Sequence, residues 1–149
     1  MKKFLPLFFL FSCLPCIASD WTYSEVKDPM TDKITYELKK SSNQDANTSL
    51  YVSCTGGAIT SELIAVNRQI LNRYLDIRIG DFKSTNKWFV QNMQGGSGAY
   101  APDELNLPML MTKGGNLKIR FNTPDESVIV DFDLEGFATP LQKMINQCK

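Results

Sequence analysis

Acidic and apolar residues alternate near the end of the chain, where Asp131, Asp133 and Glu135 are separated by Phe132 and Leu134. Carboxylates on one strand face could hold a cation or bind a basic partner protein. Asp131 and Asp133 could also serve as the acid and base of a carboxylate hydrolase. The alternation itself is typical of a strand with one buried and one solvent-facing side, which accounts for the acids without any ligand.

The chain contains no histidine. Histidine is the commonest general base and metal ligand, so its absence removes the histidine-dependent triads and most zinc sites. The remaining carboxylates, lysines, serines and tyrosines form no recognisable catalytic motif. We therefore predict a protein that is not an enzyme, with no catalytic residue, no metal site and no cofactor.

Glycines are concentrated at Gly95, Gly96 and Gly98, shortly before Tyr100. They predict a mobile surface loop, and they lack the Lys-Ser/Thr ending that a phosphate-binding loop requires. This loop with Tyr100 and the acidic strand face around Asp131 are the two candidate partner-binding surfaces. The two tryptophans are expected to pack in the core.

Residues 1–18 have the pattern of a signal peptide, with Lys2 and Lys3 before an apolar run and the small Ala18 at the end. The alternatives are a retained anchor and a lipoprotein modified at Cys13. Cleavage would leave one exported domain, residues 19–149, located in the periplasm or secreted, with no membrane span in its mature form.

The mature part would carry 14 basic and 16 acidic residues, a net charge of −2, with no basic run. Nucleic acid is therefore not an expected partner, because phosphate binding needs clustered cations. Of the four cysteines, Cys54 and Cys148 remain in the mature part. An even pair in an exported protein favours a disulfide, whereas a reactive dithiol would normally have Cys-x-x-Cys spacing.

The positions of apolar residues predict the elements that hold these groups. Leu50, Val52 and Cys54 share one strand parity, which directs Cys54 to the core, and the stripe from Phe137 to Cys148 has helical spacing. The prediction is an α+β fold: a mainly antiparallel β-sheet, one middle helix and a C-terminal helix disulfide-linked to the sheet. Strands are expected over 21–26, 34–39, 50–54, 58–66, 74–79, 88–91, 117–121 and 128–135, and helices over 102–111 and 137–148.

Taken in order, several motifs resemble the VasI-like family of small exported proteins, which are associated with type VI secretion and also occur in prophage-like settings. The resemblance implies an exported domain with a disulfide between Cys54 and Cys148, and it supplies no catalytic residues. The motifs are Trp21, Asp28-Pro29-Met30-Thr31-Asp32, Leu50-Tyr51-Val52-Ser53-Cys54, Leu75-Asp76-Ile77-Arg78, Lys87-Trp88, Leu117-Lys118-Ile119-Arg120, Phe132-Asp133-Leu134-Glu135-Gly136-Phe137 and Cys148.

Three functions follow as hypotheses. The first is a non-enzymatic envelope protein that binds a protein partner, as a type VI secretion accessory. The second is a periplasmic inhibitor or exclusion factor directed at a cell-wall hydrolase or a phage component, with the 95–100 loop as its inserted element. The third is the carboxylate hydrolase that would use Asp131 and Asp133. The sequence does not determine the oligomeric state.

Overall fold

The computed structural model describes residues 20–149. The predicted signal peptide, its cleavage site and the alternative lipidation at Cys13 lie outside the described residues. Between residues 20 and 149, no helix is long and apolar enough to cross a membrane.

The described residues form ten strands and two short helices in chain order. Each turn and loop between the strands is short, apart from the segment 101–115 that carries the first helix. The strands are β1 Thr22–Lys27, β2 Ile34–Ser41, β3 Thr48–Thr55, β4 Ala58–Val66, β5 Tyr74–Ile79, β6 Phe82–Lys87, β7 Phe89–Met93, β8 Gly96–Tyr100, β9 Asn116–Asn122 and β10 Ser127–Asp133, and the helices are α1 Leu107–Met111 and α2 Ala138–Gln147.

Two antiparallel sheets replace the single sheet expected from the sequence. One has six strands in the order β1-β2-β3-β4-β8-β7, and the other has four in the order β10-β9-β5-β6. Their buried faces share one hydrophobic core, to which Leu38, Val52 and Leu63 contribute from the first sheet and Ile77 and Ile119 from the second. The prediction of mainly antiparallel strands is confirmed. The prediction of a single sheet is corrected, because the strands divide into two sheets.

Strand parity decides which residues enter this core. In β9, Leu117, Ile119 and Phe121 are fully buried and the residues between them are exposed, because successive side chains of a strand point to opposite faces. In β3 the same rule buries Leu50, Val52 and Cys54, as the sequence predicts. Each sheet therefore has an inner face in the core and an outer face toward solvent.

The C-terminal helix lies against the inner face of the six-stranded sheet. A disulfide joins Cys54 of β3 to Cys148 at the end of α2, with the two Cα atoms 6.0 Å apart. At the other end of the helix, the Phe137 ring packs 4.6 Å from that of Trp21. The Lys143 ammonium lies 4.1 Å from the centre of the Tyr23 ring. The predicted disulfide and helix are confirmed.

The middle helix is shorter than predicted. Asp103–Leu105 form one 3₁₀ turn, Asn106 has a left-handed backbone with φ of 46°, and α1 covers only Leu107–Met111. The reason is Pro108, which stands in the first turn of α1. Proline is tolerated there because the first turn's N–H groups have no helical partner, but further inside a ten-residue helix it would remove a hydrogen bond.

Two segments that the sequence analysis assigned to loops or passed over are strands. Gly96–Tyr100 forms β8 between β4 and β7, so the predicted mobile loop at Gly95, Gly96 and Gly98 is wrong, and Gly95 lies in the β7–β8 turn. The polar segment Phe82–Lys87 forms β6 and pairs with β5. Gly80, with φ of 56°, begins the two-residue turn between them, as a type II′ hairpin requires.

Loss of the disulfide is expected to lower the free energy of unfolding by about 4–5 kcal/mol, because it closes a long loop in the unfolded chain. The two cysteines are 94 positions apart. Urea unfolding of the native protein and of the Cys54→Ser/Cys148→Ser double variant measures the difference. The reduced native protein is the control, and its urea midpoint should equal that of the double variant. Equal midpoints for oxidised and variant protein would contradict this expectation.

Candidate functional site

The three acids Asp131, Asp133 and Glu135 do not form a joint site. Asp131 is only 9% exposed, which corrects the expectation of a solvent-facing carboxylate. The β2–β3 loop covers it: the Asn43 N–H donates to the Asp131 carbonyl oxygen at 2.8 Å, and the Asp131 N–H contacts the Ser42 hydroxyl at 3.4 Å. The Asp131 carboxylate pairs with Lys118 of β9 at 3.7 Å.

The other two acids lie at the end of β10. The Asp133 carboxylate accepts a hydrogen bond of 2.9 Å from the Glu135 N–H, which stabilises the turn into α2, and Glu135 is exposed. Among residues 20–149, no group of three or more acidic or cysteine side chains is placed to hold a metal ion. The structure therefore assigns Asp131 and Asp133 structural contacts.

The glycine-rich segment and Tyr100 lie instead on the outer face of the six-stranded sheet. The register places five residues side by side in one row across five strands, namely Lys39, Tyr51, Glu62, Tyr100 and Phe89. We call this row, with the neighbouring Val66, Gly98 and Met93 on the same side of the sheet, the aromatic face. Both helices lie on the opposite, inner side, since Cys148 is bonded to the inward-facing Cys54 and Leu107 and Met111 of α1 are buried in the core.

Neighbouring side chains of the row contact one another across the strands. The Lys39 ammonium lies 5.3 Å from the centre of the Tyr51 ring. The rings of Phe89 and Tyr100 are 6.2 Å apart at an interplanar angle of 40°. Phe89 is nevertheless 68% exposed, because it lies on β7, the last strand of the sheet. Aromatic residues are enriched at protein–protein interfaces, so this row is a candidate binding surface.

Glycine is needed in β8 because its neighbours come close. A Cβ atom at Gly96 would lie 2.3 Å from the carbonyl oxygen of Ala65, and one at Gly98 would lie 2.6 Å from the Glu62 carboxylate. The missing side chain at Gly98 therefore gives the Glu62 side chain room to lie on the sheet next to Tyr100. Small residues also let the backbone of β8 pack tightly between β4 and β7.

Glu62 is the electrostatic centre of the aromatic face. Partial burial raises its pKa above the usual value, and the charge of Glu37 acts in the same direction, whereas the Tyr100 hydroxyl opposes both by donating to the carboxylate. The same hydrogen bond raises the pKa of Tyr100. The row thus places the Glu62 carboxyl group between two tyrosines, Tyr51 and Tyr100.

Comparison with solved structures supports the fold. The chain is similar to invasion associated protein B from Bartonella henselae, with a TM-score of 0.61 and 13% sequence identity. The similarity covers 87% of this chain and 95% of that one. At this identity the likeness concerns the fold alone.

Comparison at the level of sequence gives no relative. No protein-family model matches the chain, and no curated protein matches it. The resemblance to VasI-like proteins therefore stands on the motifs quoted above, without a family match.

Tyr100, Gly96 and Gly98 were predicted from the sequence as part of a binding surface, whereas the other residues of the aromatic face were not. Tyr51 and Glu62 have the parity opposite to the buried residues of β3 and β4, so their outward direction could be predicted. What could not be predicted is that β8 pairs with β4, because strand parity carries no information on which strands are neighbours.

Substitution of the two β8 glycines is expected to have unequal effects. Gly96→Ala should lower the free energy of unfolding by about 1–3 kcal/mol, because its methyl group meets a backbone oxygen that cannot move away cheaply. Gly98→Ala should cost less, because the Glu62 carboxylate can rotate. Urea unfolding of both variants measures this, and equal losses would contradict the explanation.

Replacement of Glu62 is expected to change how stability depends on pH. Since burial raises the pKa of Glu62 in the folded state, the favourable contribution of this side chain to stability is complete below its ordinary pKa of 4.5 and is lost as pH rises through the folded pKa. Glu62→Gln removes this loss, so its melting temperature relative to the native protein should rise between pH 4 and pH 7. The exposed Glu126→Gln is the control. The raised pKa of Glu62 would be contradicted if the difference in melting temperature between Glu62→Gln and the native protein did not change with pH. It would also be contradicted if Glu126→Gln showed the same change with pH.

Proposed function

We propose that this chain is an exported, non-enzymatic protein of the cell envelope that acts by binding a partner protein through the aromatic face. The observation that carries the proposal is the continuous row from Lys39 to Phe89, which lies on the sheet face away from both helices. Export is supported by the signal-peptide pattern of residues 1–18 and by the disulfide, which is typical of an oxidising compartment.

The exposed aromatic and apolar groups give this face the composition of a protein-binding surface. Phe89 and Met93 are 68% and 47% exposed, and both lie on an edge strand that carries no charged side chain. Aromatic residues and methionine are enriched at interface cores, where charged residues are depleted. The single carboxylate of Glu62 would supply a hydrogen-bond acceptor at the centre and so give orientation.

The finer assignment within this function is an accessory of a type VI-like secretion apparatus, and it is supported by the sequence motifs shared with VasI-like proteins. The likeness to invasion associated protein B concerns the fold and does not choose among these functions. The inhibitor hypothesis loses its proposed inserted element, because the segment 96–100 is a paired strand. A hydrolase at Asp131 is disfavoured by the burial and ion pairing of that carboxylate.

An affinity pull-down from the native cell envelope tests the proposal, using the oxidised protein with a tag after Lys149. The native protein should retain a stoichiometric partner. The Phe89→Ala/Tyr100→Ala variant should retain at least tenfold less of it. The matched control is Tyr74→Ala/Met109→Ala, which also removes two exposed apolar side chains, 60% and 51% exposed, at other places.

The identity of the retained partner then separates the hypotheses. Subunits of a secretion apparatus support the accessory role, whereas one lytic enzyme supports the inhibitor. Equal retention by both variants would contradict the aromatic face as the binding surface. Turnover of cell-wall material by the purified protein would contradict the non-enzymatic function.

A further inference from the structure

The edge strand β6 of the four-stranded sheet has unpaired backbone groups. Its two-residue turn closes on the pair Ile79–Phe82, so Phe82, Ser84 and Asn86 direct their peptide groups toward β5. Lys83, Thr85 and Lys87 direct theirs outward. Within residues 20–149, no other backbone segment hydrogen-bonds to these outward groups. By contrast, the β2–β3 loop covers part of the opposite edge, at Asp131.

One face of this edge is positively charged. Lys83 lies opposite Arg78, and Arg78 lies opposite Lys118, so three cations are adjacent on three strands. Like charges directly opposite each other destabilise a sheet, so this arrangement is not explained by pairing within the sheet. A shallow depression of about 560 Å³ lies among these side chains.

The acids nearby do not neutralise this row completely. Asp76 is bound by Arg120 at 2.5 Å and by the Thr85 hydroxyl, and these two partners keep its pKa below the usual range. Lys118 pairs with Asp131. Arg78, Lys83 and Lys87 have no ion-pair partner in the described part of the chain.

The other face of β6 borders a groove lined by both apolar and polar residues, the polar ones being Ser84, Asn86, Lys87 and Glu104. Phe82, which is 40% exposed, lines it from the strand, and Leu105 and Leu110 line it from the segment that carries α1. Its volume is about 670 Å³. A chain lying along β6 would therefore meet cations on one side, and on the other side a groove in which Phe82, Leu105 and Leu110 offer apolar contacts.

We propose that the β6 edge binds an extended acidic peptide segment of a partner protein, which adds to the sheet as a fifth strand. Its main chain would bond to the outward peptide groups of Lys83, Thr85 and Lys87. Acidic residues four positions apart would face Lys83 and Lys87, and the alternate, apolar residues would face the groove at Phe82. This site is separate from the aromatic face and stands independently of it.

The charge of the edge disfavours other occupants. A second copy of β6 would bring lysines opposite lysines. Residues 1–19 of this chain contain lysine but no acidic residue, so they do not complement the edge either. The basic row extends over only three strands, roughly 10 Å at ordinary strand spacing, which is short for a nucleic-acid surface.

Fluorescence anisotropy with a labelled ten-residue peptide of alternating glutamate and valine tests the charge complementarity. The oxidised protein should bind it, and Lys83→Gln/Lys87→Gln should weaken binding about tenfold at low ionic strength. Lys33→Gln/Lys149→Gln removes the same charge from exposed positions elsewhere and should change binding little. A peptide of alternating lysine and valine should not bind.

A second pair of variants tests strand addition. Thr85→Pro removes the outward N–H at the centre of the edge, while Thr85→Val keeps it and removes only the hydroxyl, so binding should be lost in the first and kept in the second. If Thr85→Pro does not fold, the lysine variants decide. The proposal is overturned if the native protein does not bind the acidic peptide, if both lysine pairs weaken binding equally, or if the two folded Thr85 variants bind alike. Preference for duplex DNA or phospholipid vesicles over the peptide would also overturn it.

Discussion

The fold depends on covering the inner face of the six-stranded sheet, which is wider than the four-stranded sheet opposite it. Six strands face four, so part of the core surface of the larger sheet needs another partner. α2 provides it on the side of β1 to β3, where the Cys54–Cys148 bond holds one end of the helix and Phe137 packs against Trp21 at the other. An isolated helix of ten residues is marginal in water, so its position depends on these two attachments. Because the helix is fixed on the inner side, it does not cover the outer face of either sheet.

The two outer faces differ because the strands that build them differ. On the six-stranded sheet, outward parity brings Tyr51, Tyr100 and Phe89 into one row around Glu62. On the four-stranded sheet, it brings Arg78, Lys83 and Lys118 together. Neither row is contiguous in the sequence, and each arises only when the register is set. Residues 20–149 carry 14 basic and 16 acidic side chains, yet they form a locally basic surface, since cross-strand neighbours rather than sequence neighbours determine the local potential.

Features that depend on burial could be predicted from the sequence, whereas features that depend on which strands pair could not. The alternation in β3, β9 and β10 and the helical stripe ending at Cys148 predicted the core and the disulfide, because burial imposes a period on the residues themselves. β8 was missed because the glycines that allow close strand packing have the composition of a loop. The division into two sheets was not predictable, since it depends on which strands pair. Asp131 has the outward parity of a solvent-facing residue, yet the loop at Ser42 and Asn43 buries it.

The failure at β6 has a physical cause that also bears on function. A strand inside a sheet must be apolar on its buried side. An edge strand with an open groove beside it can be polar on both sides, as Ser84, Asn86, Lys83 and Lys87 make it. Such a strand gives no hydrophobic period. The polar side chains also keep the unpaired peptide groups hydrated. The lysines repel the β6 strand of a second copy, so the edge avoids self-association although no loop covers it. An edge protected by charge rather than by a covering loop remains accessible to a chain of opposite charge. The polar and charged composition that prevents prediction of β6 from a hydrophobic period is therefore the same property that would make its edge selective for an acidic chain.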